Sequence, residues 1–253
     1  MYKIFGSSEK FNEDLAPINI LSFSKDKTNV LGEGNNSFKI VCVSDTHSNQ
    51  SKYKISKCDL FIAAGDLINN KEGEKEMKSF STWLDQIESK YKIIIGGNHD
   101  NYLDKNKTKI KELFPNAHYL EYNSLQLEEP NLTIYGAHCI LRRHIFISGN
   151  AFSLSGDQIK RQWEKIQKNI DILVTHVPPY DILDFTSDKK HVGSKWLRNE
   201  ICNRIQPKIN IFGHNHDSKN YFALGQFKNG NKCLFVNACA LYKPQPCSIE
   251  YKY

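Results

Sequence analysis

Ile93-Ile94-Ile95-Gly96-Gly97-Asn98-His99-Asp100 reads as an apolar run, two glycines, and then three polar residues that can hold a metal ion and move a proton. Four other stretches also run from apolar residues abruptly into metal-ligand chemistry. They are Val41-Cys42-Val43-Ser44-Asp45-Thr46-His47, Phe61-Ile62-Ala63-Ala64-Gly65-Asp66, Ile172-Leu173-Val174-Thr175-His176 and Ile209-Asn210-Ile211-Phe212-Gly213-His214-Asn215-His216. Strands buried on both faces of a parallel sheet are continuous apolar runs. Open α/β sheets bind ligands beyond the carboxyl ends of such strands. Strands that deliver Asp, Asn and His to one edge therefore predict a metal site there.

Outward from these stretches, the spacing predicts strands over 38–43 and 59–64 and a helix over 72–90, with Met77, Phe80, Leu84 and Ile87 on one face. A short helix follows the Ile93 strand and is stopped by Pro115. Strand–helix–strand alternation marks a parallel-rich, layered α/β fold. Short strands over 118–120, 124–127, 132–135 and 144–147 predict an antiparallel section, with a loop over 148–156. Helices are expected over 157–168 (Ile159, Trp163, Ile166) and 194–205 (Leu197, Ile201, Ile205), and further strands over 171–174, up to Phe212, and over 221–224, 233–236 and 248–251. Near the start, 18–23 reads as an edge strand and 26–37, with Gly32 and Gly34, as a loop. No linker divides the chain, so a single domain over 1–253 is expected, with 1–37 as an N-terminal extension.

The 253 residues are 40% hydrophobic and 25% charged, ordinary globular values. No apolar run approaches the ~20 residues needed to span a bilayer. The N-terminus lacks a signal peptide's apolar core, and Glu9, Glu13 and Asp14 argue against a transit peptide, so a cytoplasmic location is expected. The seven cysteines form no Cys-x-x-Cys pair; buried free thiols in a reducing compartment are expected, not a disulfide framework or a Cys-type zinc site. The net charge of +6 comes from lysines scattered among glutamates, which reads as a solvated surface rather than a nucleic-acid groove. Such a mild positive field favours the arrival of a phosphate-bearing substrate. Neither a membrane nor a dedicated nucleic-acid-binding domain is expected.

Asp45 and His47 are two apart, and on an extended chain they face the same way. A carboxylate and an imidazole can thus close on one ion. Gly65 lets an ion or phosphate approach the backbone beside Asp66. Asn98 offers an amide oxygen, and His99 next to Asp100 is an acid with an orienting partner. His214 and His216 repeat the spacing of two; His176 alone signals little.

Taken in order, Asp-x-His, Gly-Asp, Gly-Asn-His-Asp, a lone His and Gly-His-x-His resemble the motifs of the calcineurin-like metallophosphoesterase superfamily, and the likeness covers the chain from about residue 38 onward. Within it, Val43-Ser44-Asp45-Thr46-His47-Ser48, Tyr135-Gly136, the segment 171–179, His191-Val192-Gly193 and Phe212-Gly213-His214-Asn215-His216 are similar to the metallophosphoesterase-domain-containing (MPPED) branch, which looks like class III cyclic-nucleotide phosphodiesterases. The segment 135–156 departs from that branch, which is richer in Trp and Pro there.

The resemblance implies a four-layer α/β/β/α metallophosphoesterase sandwich of two mixed sheets flanked by helices, with 38–253 as the catalytic core. It implies two divalent metal ions, one on Asp45, His47, Asp66 and His216 and the other on Asp66, Asn98, His176 and His214. Mixed nitrogen and oxygen ligands suit Mn, Fe, Zn or Co. Two such ions, two carboxylates and a bridging hydroxide leave a site of about +1, able to hold a phosphate. The implied reaction is in-line attack of that hydroxide on a small phosphodiester, cyclic nucleotides being the nearest class. His99, outside the implied ligand set, is assigned to protonating the leaving alkoxide, with Asp100 holding its tautomer; a phosphate-binding cation is the other reading of His99.

Arg142, Arg143 and His191 are candidate substrate contacts beside Asn98. Arginine forks suit phosphate, but an exposed loop with solvated charges reads equally well. Phe152 and Trp163 are expected in the core, and His118 and His138 are read as structural. The same centre would serve a phosphomonoesterase or protein phosphatase. A non-catalytic binding module on the same fold, like the retromer subunit that resembles this superfamily, would be expected to have lost ligands.

Overall fold

Each site-bearing apolar run becomes an inner strand because both of its faces are covered. The computed structural model describes residues 14–25, 28–142, 151–241 and 245–253. In chain order the strands are β1 (Asn19–Ser24), β2 (Thr28–Gly32), β3 (Ser37–Val43), β4 (Cys58–Ala64), β5 (Ser89–Ile95), β6 (His118–Tyr119), β7 (Asn123–Leu127), β8 (Leu132–Ala137), β9 (Ile140–Leu141), β10 (Ser153–Leu154), β11 (Ile172–Thr175), β12 (Ile209–Phe212), β13 (Tyr221–Gln226), β14 (Lys232–Asn237) and β15 (Cys247–Lys252). The helices are α1 (Glu74–Asp85), α2 (Asn101–Lys105), α3 (Ile110–Leu113), α4 (Gly156–Glu164) and α5 (Lys195–Glu200), which runs on into a π-helical turn over Ile201–Ile205.

Two mixed sheets result. One runs β1-β13-β14-β12-β11-β8-β7 and the other β2-β15-β3-β4-β5-β6. In the first, β8, β11, β12 and β14 are parallel; in the second, β3 to β6 are parallel. Alternate residues of each strand sort to opposite faces. Ile40, Leu60 and Ile93 of one sheet meet Ile134, Ile172 and Ile209 of the other in a core between the sheets. Val41, Phe61 and Ile94 face outward under Met77, Phe80 and Leu84 of α1. Tyr135, Leu173 and Phe212 face outward under Ile159 and Trp163 of α4 and Leu197 of α5. These apolar interlayers make the four-layer α/β/β/α sandwich. Ser155 starts α4 with a reciprocal capping box to Gln158.

Several expectations are corrected. The helix over 72–90 ends at Asp85, because Ser89 is already in register with Cys58 as the start of β5. The loop over 26–37 contains β2, an edge strand parallel to β15; its alternation of exposed and half-buried residues is short, and its partner lies far along the chain. Thus both β1 and β2 of the N-terminal segment complete the two sheets. Of the section expected to be antiparallel, β7 and β8 pair that way, but β6 is parallel to β5 and β8 to β11. The strand expected over 144–147 lies outside the described residues. The cysteines are free and buried, as expected. Among the described residues no helix is long and apolar enough to cross a membrane.

Trp163 is fully buried between α4 and the first sheet. Trp163→Ala is expected to cost about 3–5 kcal/mol, read as a lower urea midpoint at unchanged slope.

Candidate metal centre

The site lies where parallel strands of both sheets end. Asp45 and His47 follow β3, Asp66 follows β4, Asn98 and His99 follow β5, His176 follows β11, and His214 and His216 follow β12. The sheets are joined here by backbone. The Ser44 N–H donates to the Ala238 carbonyl at 2.7 Å, and the Ala240 N–H donates to the Ser44 carbonyl at 3.0 Å. Asp45 (φ 57°), His47 (φ 44°), Asp66 (φ 52°) and His214 (φ 63°) all have left-handed backbone. Such residues are costly and cluster at functional sites. Two glycines allow the close approach. A Cβ on Gly97 would lie 2.3 Å from Asp66 Oδ1, and one on Gly213 2.2 Å from Asp45 Oδ2.

Asp66 stands between two groups of donor atoms. Its Oδ1 is 3.4 Å from His176 Nε2, and its Oδ2 is 3.7 Å from His47 Nε2. On the Oδ1 side, Asn98 Oδ1 sits 3.0 Å from His176 Nε2 and 2.9 Å from His214 Nδ1. On the Oδ2 side, Asp45 Oδ1 sits 3.1 Å from His216 Nε2 and 3.9 Å from His47 Nε2. The groups Asp45, His47, His216 and Asp66, His176, His214 each place their ligand atoms within 4.8 Å of one another; so does the group His47, Asp66, His99. Buried His47 Nε2 has no hydrogen-bond partner and faces two carboxylates at distances too long for a hydrogen bond. An orphaned nitrogen and two carboxylates around one gap fit a cation. The mixed imidazole, carboxylate and amide donors fit a divalent transition ion.

The charges lock each other. Burial alone would raise the pKa of Asp66, but the charge and hydrogen bond of His176 hold it well below the usual carboxylate range. Burial disfavours charge on His176, yet Asp66 carries its pKa up to about 9. Asp45 is lowered despite its burial, by the His216 hydrogen bond and the charge of His176. His47 is lowered by burial. The other nitrogen of His176 donates to the Ala64 carbonyl at 2.9 Å, fixing the tautomer that turns Nε2 to the site.

Asp100 is not the partner of His99. Its carboxylate accepts from the backbone N–H groups of Gly97 (2.7 Å), Leu67 (2.9 Å) and Ile68 (3.1 Å). The chain turns back over 97–100, so residue 100 points beneath the glycines rather than alongside residue 99. Burial and the charge of Asp66 push Asp100 up to about 8, against the three N–H donors that favour its anion. His99 is half-buried, edge-on to His47 with ring centroids 4.8 Å apart, and its backbone N–H donates to Asp66 Oδ1.

The candidate substrate residues divide. Arg142 is exposed and turns to the Ser153 carbonyl rather than to the cluster. Arg143 lies outside the described residues. His191 lines a cleft with Asp217, the residue after His216. Sequence reading missed Asp184, whose buried carboxylate holds His191 Nδ1 at 2.7 Å. It also passed over Asn215, whose amide donates to the Leu183 carbonyl. A polar residue between His214 and His216 was the available signal for Asn215; nothing local marks Asp184. Phe152 and Trp163 are core residues, and His138 is buried.

Residues 38–218 match the sequence model of the calcineurin-like phosphoesterase family. Metallophosphoesterase domain-containing protein 1 of Homo sapiens is 31% identical over 233 residues, covering 85% of this chain and 68% of that protein. UPF0046 protein K07C11.7 of Caenorhabditis elegans is 28% identical over 226 residues, covering 83% of this chain and 72% of that protein. The crystal structure of TT1561 of Thermus thermophilus aligns with a TM-score of 0.51 at 12% identity, over 80% of this chain and 89% of that one, a likeness of fold. The geometry, the matched segment and the relatives agree: this chain belongs to the calcineurin-like phosphoesterase family, on the branch of the metallophosphoesterase domain-containing proteins, and is a metal-dependent phosphoesterase.

Proposed function

We propose that the chain hydrolyses small phosphodiesters, with cyclic nucleotides as the nearest class, using two divalent ions such as manganese. The observation that carries this reading is Asp66 standing between two groups of donor atoms, a position that suits a carboxylate shared by two ions. In it Asp45, His47, Asp66 and His216 would hold one ion, and Asp66, Asn98, His176 and His214 the other. When bound, such ions lower the pKa of water and offset the charge of a phosphoryl group. The chain's own residues do the rest. Asn98 presents its amide oxygen between His176 Nε2 and His214 Nδ1. Half-buried His99, edge-on to His47, would pass a proton to the departing oxygen.

Water is the nucleophile in this reading, because the nearby hydroxyls and thiol are tied up. Ser44 Oγ donates to the Ala64 carbonyl at 2.9 Å, and Thr46 Oγ1 donates to the Leu67 carbonyl at 3.0 Å. Burial pushes the Cys239 thiol up, away from the reactive thiolate. The free, buried cysteines suit a cytoplasmic setting.

Metal-stripped protein reloaded with Mn is expected to hydrolyse bis-aryl phosphate and one of the isomeric cyclic AMPs. Asn98→Ala and His176→Ala are expected to fall by at least the ~10–100-fold that loss of a group supporting a metal costs. Turnover of aryl monophosphate alone would make the protein a phosphomonoesterase; bound metal without turnover of either ester would make it a binding module.

His99→Ala should lose about 10²–10⁴-fold on alkyl phosphodiesters and far less on nitrophenyl esters, whose leaving group needs no proton. Equal losses on both would remove the acid role. Asp100→Asn should instead affect both esters alike and lower stability by about 1–3 kcal/mol, since its amide N–H would meet a buried backbone N–H and leave that donor unsatisfied; a thermal melt reads this directly.

A further inference from the structure

Phe152 has left-handed backbone (φ 55°), which a bulky residue adopts rarely and keeps only where its surroundings fix it. It stands outside the candidate ligand set, so aiming a ligand does not account for the strain. Its surroundings do fix it. The residue is 6% exposed, and its ring lies on Gly96, where an added Cβ would stand 2.3 Å from Cε2 and 2.8 Å from Cζ. The ring also packs on His138, with centroids 3.9 Å apart. The Phe152 N–H donates to Asp104 Oδ2 at 3.1 Å, and the N–H of Ala151 before it donates to the Asn98 carbonyl at 3.1 Å.

These two bonds straddle the turn that carries His99. Asn98 enters that turn from β5, and Asp104 belongs to α2, which follows it. The pair Ala151-Phe152 is thus a strap fastened on both sides of His99. The Asn98 carbonyl and the His99 N–H belong to one planar peptide unit. Its carbonyl end takes the Ala151 N–H, and its N–H end donates to Asp66 Oδ1 at 2.8 Å. One rigid plane therefore runs from the strap to the carboxylate that stands between the two donor groups. The Asn98 side chain springs from the edge of that plane, and its oxygen sits 3.0 Å from His176 Nε2 and 2.9 Å from His214 Nδ1. An amide carries no net charge to draw it to a cation, so its contribution depends on being held in place beforehand.

We propose that Phe152 is a positioning residue for the metal centre. Its ring, seated on Gly96, holds Ala151 against the Asn98 carbonyl, and so sets the aim of Asn98 and the hold on Asp66 before an ion arrives. Position 96 is a glycine in this reading because the ring takes the place of its Cβ. The inference rests on the two-ion reading above.

The test reads metal binding rather than turnover. Metal-stripped protein is titrated with Mn by equilibrium dialysis. The parent is expected to bind two ions. Phe152→Ala should bind one of them about 10–100-fold more weakly, as loss of a group supporting a metal ligand costs, and the other unchanged. Gly96→Ala fills the seat and should give the same loss. Combined with Phe152→Ala it should cost nothing further, because the atoms its Cβ would meet first are gone. Asp104→Ala cuts the other tie from a half-buried position on α2, keeps the ring and opens no core; it should weaken the same ion. In metal-free protein the Ala151 N–H should exchange with solvent about tenfold faster in Phe152→Ala than in the parent, the size of one hydrogen bond's net contribution.

If Phe152→Ala binds both ions as tightly as the parent, the inference is overturned and the two-ion reading stands. An equal loss at both ions, or an Ala151 N–H that exchanges alike in the two proteins, overturns it as well. A parent that binds fewer than two ions overturns the two-ion reading, and the inference with it.

Discussion

Everything at the active end depends on the seam where the two sheets hydrogen-bond to each other. At Ser44 the end of β3 is held to the segment after β14, so strands from separate sheets share backbone contacts. Further links cross the same line. The His214 N–H donates to the Asp45 carboxylate at 3.0 Å, and His176 donates to the Ala64 carbonyl at 2.9 Å. Without this seam the donor groups would ride on two layers free to slide, and a centre that needs ångström placement would not form. The apolar interlayer behind it supplies the adhesion; the polar seam supplies the register.

The seam also explains the local strain. Four of the donor-bearing residues have positive φ because the chain must turn sharply at the strand tip and still aim a side chain at the centre. Asp100 ties the turn after Asp66 to the turn at Gly97 by accepting from three N–H groups that burial would otherwise leave bare. One carboxylate thus carries turn geometry, while its neighbour Asp66 faces the imidazoles. Their opposite pKa directions follow from what surrounds each: the charge and hydrogen bond of His176 for Asp66, and burial next to another carboxylate for Asp100.

The inner strands and the cluster were legible in the sequence because each is a local signal: an uninterrupted apolar run, then a glycine or a metal-ligand side chain. What was not legible depends on distant partners. Strand β2 has few apolar residues and owes its form to β15, more than two hundred positions away. Helix α1 stops short because β5 claims Ser89 for a register set by β4. The Asp100–His99 pairing was inferred from adjacency, but a turn sends neighbouring side chains to different places. The dyad that does form, His191 with Asp184, joins residues that read as loop, and the ring contacts around it come from the folded chain alone.

The order β2-β15-β3 has a consequence for synthesis. The strand that delivers Asp45 and His47 is flanked on one side by the last strand of the described residues. On a ribosome, β3 to β6 and their helices emerge long before β15, so that flank of β3 lacks its native partner while the intervening chain is made. An unpaired strand rich in Val, Ile and Phe is a template for wrong pairing. This sheet gains that neighbour only once β15 has emerged.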